Sequence, residues 1–220
     1  MSQEPVVTVG NIKISLAEAT AWVKTYTDET NNKSKKKPYA YPAYDRYEQD
    51  TNDPHHLSDA DLLAPVLLNV SISIRSFYAL QAVRRRLEDA LQHPALNRTL
   101  VELDDDEVRD AVGPLYAVLD EERLPGVGGT KLSKILHRKA PQCLVLHDMW
   151  VRACYLGGDL VPFASKRSWA EYLTLITKAI QRDLLTQPDV FEELSSIGTG
   201  LSQVRILDIL SWSSRGQSPA

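Results

Sequence analysis

The residues from Leu124 to Trp150 read LPGVGGTKLSKILHRKAPQCLVLHDMW: three glycines, a cluster of cations, an apolar run and a lone acid, Asp148. Glycines beside lysines raise the question of a phosphate site. A P-loop needs G-x-x-x-x-G-K-[ST] behind a buried strand, and a dinucleotide-binding turn needs G-x-G-x-x-G. Gly126, Gly128 and Gly129 meet neither spacing, and the segment before them patterns as a helix. The stretch reads instead as a hairpin between two helices. One helix runs to about Glu121, Leu124 and Pro125 turn the chain, and a second helix carries Lys131, Lys134, Ile135 and Leu136. Gly126 and Gly128 tolerate positive φ and leave no side chain in the way. Free N–H groups at a helix N-terminus make a ready anion site. Lys131, Lys134, Arg138 and Lys139 add positive charge, so the hairpin suits a DNA phosphate held without reading sequence.

The elements that must position this stretch are mostly helical. Val7, Val9, Ile12 and Ile14 flank Gly10-Asn11 as a short hairpin. Ser15 caps a helix over 15–27 with Leu16, Ala19, Val23 and Tyr26 on one face. The segment TNNKSKKKPYAYPAYDRYEQDTNDPHH has few aliphatics and reads as a long loop. Ser58 then caps a helix carrying Leu62, Leu63, Val66, Leu67 and Val70, kinked at Pro65. Further helices are expected over about 74–91, from Asp104 through Leu119, from Ser168 through Leu184, and around Leu201–Trp212.

The hairpin resembles the helix-hairpin-helix motif, whose common form is L-P-G-h-G before a short helix; here it reads LPGVG. The likeness extends to the helix-hairpin-helix DNA glycosylase superfamily. There a catalytic aspartate follows the hairpin, and members with lyase activity carry a lysine roughly eighteen residues before it, two past the second hairpin glycine. The matching positions are Asp148 and Thr130, which are 148 − 130 = 18 residues apart. The resemblance implies an anion at Asp148 that stabilises an oxocarbenium-like sugar and positions water, with His147 as a neighbour that tunes it. Threonine in the lysine slot implies a monofunctional enzyme without lysine-dependent lyase activity. The family's D-T-H-V-x-R reads Asp148-Met149-Trp150-Val151-Arg152, with the arginine one position early; aligning His147 instead restores Arg152. Asp148 also stands where a helix cap would, and the two roles can coexist. Asn69 falls near the glutamines that face the duplex in the superfamily's earlier helix pair, and the likeness spans about residues 58–215. The chain is also similar to an uncharacterised actinobacterial family with the pattern YPAYD … GVGxTKxSKILHRK … DxWVRACY.

Four tyrosines, Tyr39, Tyr41, Tyr44 and Tyr47, follow Lys33, Lys35, Lys36 and Lys37. Aromatics flanked by lysines suit base stacking. One reading folds this loop over the Asp148 site, with Tyr41 and Tyr44 holding a base and Asp45 or Arg46 as polar contacts. The competing reading has the tyrosines pin an N-terminal extension to the helical body. Neither His55-His56 nor the two cysteines, Cys143 and Cys154, make a metal site, and no cofactor is implied.

At 220 residues and 43% hydrophobic, the chain suits one large domain or one domain with an added lobe. It has no run of about 18 apolar residues and no secretion leader, so a cytoplasmic address without membrane or secreted partners is expected. The net charge of −4 hides a split. Arg98–Glu122 holds two basic residues against nine acids, whereas Arg123–Arg182 holds ten basic residues against three acids. A basic segment in an acidic chain points to an anionic partner. The expectation is a mainly α protein: an extension over 1–57, a helix-hairpin-helix glycosylase-like domain over 58–215, and a disordered tail over 216–220. Duplex DNA is the expected partner. Gly126, Gly128, Gly129, Lys131, Lys134 and Asn69 would contact it, and Asp148, Thr130 and His147 would form the reaction centre. The alternatives are a DNA-binding module that lost the chemistry, or a small-molecule or interaction protein on the same fold.

Overall fold

The computed structural model describes residues 5–159, 161–198 and 200–217. Two strands, β1 (Val6–Val9) and β2 (Ile12–Ser15), pair antiparallel with Val9 opposite Ile12. Alternation puts Val7, Val9, Ile12 and Ile14 on one face, and all four are buried. Gly10 turns the hairpin at φ +60°, and a Cβ there would meet the Cys154 carbonyl oxygen at 2.3 Å. Helix α1 (Leu16–Thr27) begins where Ser15 Oγ accepts the Glu18 N–H. Helix α2 (Glu29–Ser34) lies, but for Glu29, inside the stretch expected to be irregular. Its sequence, ETNNKS, carries no apolar stripe, so periodicity gives no sign of it.

The single kinked helix expected after Ser58 is two pieces. Helix α3 (Asp59–Leu63) has a capping box between Ser58 and Asp61, and Pro65 turns the next residues, Ala64–Leu68, into a 3-10 turn. Asn69 ends that turn at φ +57°. The other helices are α4 (Ile74–Leu91), α5 (Asp105–Glu121), α6 (Gly129–Leu136), α7 (Met149–Tyr155), α8 (Trp169–Thr186), α9 (Pro188–Ile197) and α10 (Gln203–Ser214). The chain is mainly helical with one small two-stranded element, as its sequence leads one to expect. No helix among the described residues is long and apolar enough to cross a membrane.

One core runs through the molecule. The residues set apart as an extension contribute Val7, Val9, Ile12, Ile14, Ala19, Val23 and Leu57 to the cluster that also holds Leu115, Ile176 and Leu207. Helix α5 packs along α8, while α10 is surrounded by α1, α7, α8 and α9. Every α10 position from Val204 to Ser211 is buried. Arg205 and Asp208 are therefore carried out of water with the helix, and each needs a partner there. In the tail, Gly216 and Gln217 belong to the described residues and 218–220 lie outside them.

Candidate functional site

Asp148 caps α7. Its Oδ1 accepts the N–H of Trp150 at 2.8 Å and of Val151 at 3.1 Å, where a helix N-terminus favours negative charge. Helix α6 sets its position. Ser133 Oγ accepts the His147 N–H at 3.0 Å and lies within hydrogen-bonding range of the Thr130 and His147 carbonyls. Buried Leu144, Val145 and Leu146 anchor the approach to it. Asp148 is thus fixed beside the α6 face that carries Thr130 and, one turn on, Lys134. Its Oδ2 lies 3.9 Å from Lys134 Nζ, and the Lys134 side chain is only 5% exposed.

Thr130, Lys134 and Asp148 share a cleft of about 390 Å³. Helix α10 adds Arg205, Asp208, Ile209 and Trp212, which fall on one helical face. Tyr26, Tyr39, Asn69 and Trp150 complete much of the wall. Tyr26 and Tyr39 stack with centroids 5.4 Å apart, and Trp212 meets them edge-on at 6.2 and 5.7 Å. Arg205 is enclosed. Its Nε and Nη2 donate to the Asp45 carboxylate at 2.6 and 3.2 Å, Nη2 also donates to Tyr26 Oη at 2.7 Å, and Nη1 donates to Asp208. Burial pushes the Asp208 carboxyl above the usual carboxylate range; Arg205 and Lys134 pull it down, while Asp148 and Asp45 push it further up. An aromatic wall beside two acids and a buried ammonium can hold a planar ring and handle a proton.

Of the residues singled out from sequence, the cleft gathers Thr130, Lys134, Asp148 and Asn69. His147 lies apart from it. Its Nε2 is 3.1 Å from Tyr172 Oη, its Nδ1 has no partner among the described residues, and its ring packs edge-on against Trp169 and Tyr172. Burial lowers its pKa from 6.5 to about 4, which keeps the ring neutral at neutral pH. The four loop residues expected to hold a base do not line the cleft either. Tyr41 and Tyr44 are buried. Tyr44 Oη donates to the Lys134 carbonyl at 2.6 Å, and Arg138 donates to the Tyr44 and Tyr47 carbonyls. Asp45 is spent on Arg205, while Arg46 donates to Tyr41 Oη and Glu29. These contacts pin the loop to the helical body, while Pro38, Tyr39 and Ala40 of the same loop line the cleft.

The basic run also turns inward. Arg138 and Lys139 grip the Asp61 carboxylate at 3.2 and 2.6 Å, and both are buried. With Lys134 on Asp148, three of the four cations expected to face phosphate are spent on internal acids. A buried charge requires such a partner. Lys131 stays at the surface, its Nζ donating to the Gly126 carbonyl at 2.5 Å. Gly126 has φ +72°, and Gly128 has open space around it. Gly129 is buried against Trp169: an added Cβ would lie 2.5 Å from that ring. Its glycine is a packing requirement of the helix start.

Sequence reasoning passed over Tyr26, Arg205, Asp208 and Trp212 as site residues, whereas Tyr39 enters the cleft from the tyrosine loop expected over it. The available signal was two charges three apart inside the apolar run VRILDILSW. A larger groove of about 560 Å³ lies between the β-hairpin and the end of α8 and holds none of the expected residues. Its Asp183 is already engaged by the Gly10 N–H at 2.6 Å and Tyr155 Oη at 2.7 Å.

A family model described as a family of unknown function, DUF6308, matches residues 19–215. The chain belongs to DUF6308. The matched span contains every residue that lines the Asp148 cleft and leaves out β1 and β2. No curated protein and no solved structure matches the chain.

Proposed function

We propose that the chain is a DNA-binding protein of the helix-hairpin-helix glycosylase type, which releases a modified base by hydrolysis at the Asp148 cleft. One observation carries the reading. Thr130 and Asp148, eighteen residues apart in sequence, line one cleft at the mouth of a helix–turn–helix, with Asp148 fixed by backbone N–H groups. A base flipped from the duplex would lie against Tyr39 and Trp212. Asp148 would face the sugar, stabilise the cation that forms as the base departs, and orient water. Lys131 and the open glycines of the hairpin would touch the strand.

Lys134, one turn beyond Thr130 on α6, is ion-paired to Asp148. With threonine in the lysine slot, water is the nucleophile in this reading. The test is incubation with duplexes bearing a range of damaged bases, followed by alkali. Strand cleavage by the wild type that disappears in Asp148→Asn supports the reading, and intact strands throughout would count against it.

A second reading, a free nucleoside-like ligand in the same cleft, is favoured by the inward-turned cations Lys134, Arg138 and Lys139, which leave few charges for phosphate. Quenching of Trp150 and Trp212 fluorescence by free nucleosides, with no affinity for duplex, would select it.

A further inference from the structure

Resting on the base-release reading, we propose that Asp208 is the cleft's proton donor, handing its proton to the departing base while the Asp148 carboxylate faces the sugar. Both acids line the cleft, from different elements. The groups facing Asp208 are Arg205 on α10, Tyr26 on α1, Asp45 in the pinned loop, Lys134 on α6 and Asp148 at the start of α7. Three carboxylates therefore meet two cations, Lys134 and Arg205, and one proton balances the set. The carboxylates differ in what they already hold. Asp45 takes Arg205 through both oxygens. Asp148 accepts two backbone N–H groups on Oδ1, with the Lys134 ammonium 3.9 Å from Oδ2. Asp208 accepts one hydrogen bond among the described residues, from Arg205 on Oδ2. The proton belongs on the acid with the fewest donors, and burial of Asp208 acts in the same sense.

The step balances as follows. The bond between the sugar C1′ and the base nitrogen breaks, and its electron pair goes to the base. The Asp208 Oδ1 proton passes to a base nitrogen or oxygen, leaving a carboxylate on Arg205. Water adds to C1′, and the proton it sheds restores Asp208 through solvent. The net change is hydrolysis of the glycosidic bond. A neutral base is a poor leaving group without that proton, and general acid catalysis is worth about 10²–10⁴-fold. A base alkylated at N7 already carries its positive charge and departs without help.

The experiment measures base release from duplexes holding a neutral lesion that the wild type accepts, and from duplexes holding N7-methylguanine, across pH. Asp208→Asn is expected to slow the neutral lesion about 10²–10⁴-fold, to leave N7-methylguanine near the wild-type rate, and to abolish the fall in rate with rising pH. Asp208→Glu keeps an acid, so it keeps that fall; it serves if the Asn variant does not fold, checked by circular dichroism. Equal slowing of both bases, no slowing of the neutral one, or a fall with rising pH that survives unchanged in Asp208→Asn overturns the donor role. The base-release reading still stands in those cases if Asp148→Asn is inactive. A wild type that frees neither base sinks both.

Discussion

At Asp148 the helix cap and the chemistry proposed for it fall on different oxygens. Oδ1 caps α7, and Oδ2 is the one beside Lys134. Substitution separates the duties. Asparagine caps about as well as aspartate, whereas alanine forfeits the cap at about 1 kcal/mol. Both lose the ion pair with Lys134. Asp148→Asn is therefore expected to be the more stable of the two in chemical denaturation by about 1 kcal/mol, while both are inactive on any substrate the wild type cleaves. Borohydride reduction during turnover should trap no covalent DNA adduct. A trapped species lost in Lys134→Met would show that the lysine, not water, attacks. His147 supplies a pH signature. Its pKa is about 4 in the folded chain, pushed down by burial from 6.5. The unfolded chain takes up a proton near 6.5 and the folded one holds off until about 4. Stability contributed by the neutral ring is complete above 6.5 and drains away as pH falls toward 4, by up to roughly 3 kcal/mol. Asp208 works in the opposite direction, because its raised value makes the folded state the better proton binder. Comparing wild type with His147→Gln isolates the ring: the variant's stability should fall less between pH 6.5 and 4.

At the scale of elements, the α5–α6 hairpin shows how three neighbouring glycines can serve three ends. Gly129 is pressed on Trp169, Gly126 sits at φ +72°, and Gly128 is extended with room for a Cβ among the described residues. Gly129→Ala should cost about 1–3 kcal/mol by overpacking. Gly126→Ala should cost about 1–2 kcal/mol for left-handed backbone, and Gly128→Ala should be close to neutral. Urea denaturation of the three variants checks the order. Elements with strong periodicity were legible in the sequence: α1, α4, α5, α8 and the β-hairpin stand close to where their apolar spacing puts them. The weakly patterned α2 was not, and α9, whose main cue is Pro188 in its first turn, also went unread. The site divided along the same line. Thr130 and Asp148 were legible because they are local to one motif, while Lys134 of the same motif was read as a phosphate contact and instead pairs with Asp148. Tyr26, Arg205, Asp208 and Trp212 were not, because α1 and α10 meet only through tertiary packing. Tyr41 and Tyr44 were misplaced for the same reason: composition gives a tyrosine cluster, but only burial tells which ring faces a cleft and which fills a core.

For the whole molecule, the decisive quantity is where its charge goes. The sequence carries ten basic residues between Arg123 and Arg182 inside a chain of net charge −4. On a surface, ten phosphate contacts would give a salt slope near about −9. The fold instead commits Lys134, Arg138 and Lys139 to Asp148 and Asp61, and Arg167 and Lys178 to Glu171 and Asp105. Lys131 is the one cation of the hairpin helix left at the surface. Duplex binding is therefore expected to show a shallow dependence of log affinity on log salt, with a slope of about −1 to −3. Lys131→Glu should make that slope shallower by about one and weaken binding across sequences alike. Fluorescence anisotropy with a labelled duplex between low and moderate salt measures both. A slope approaching that of ten contacts would mean that the buried pairs open on DNA, since no other arrangement puts those cations against phosphate. A flat slope with nucleoside binding retained would assign the cleft to a small ligand, because its recognition rests on stacked rings and buried acids that added salt screens little.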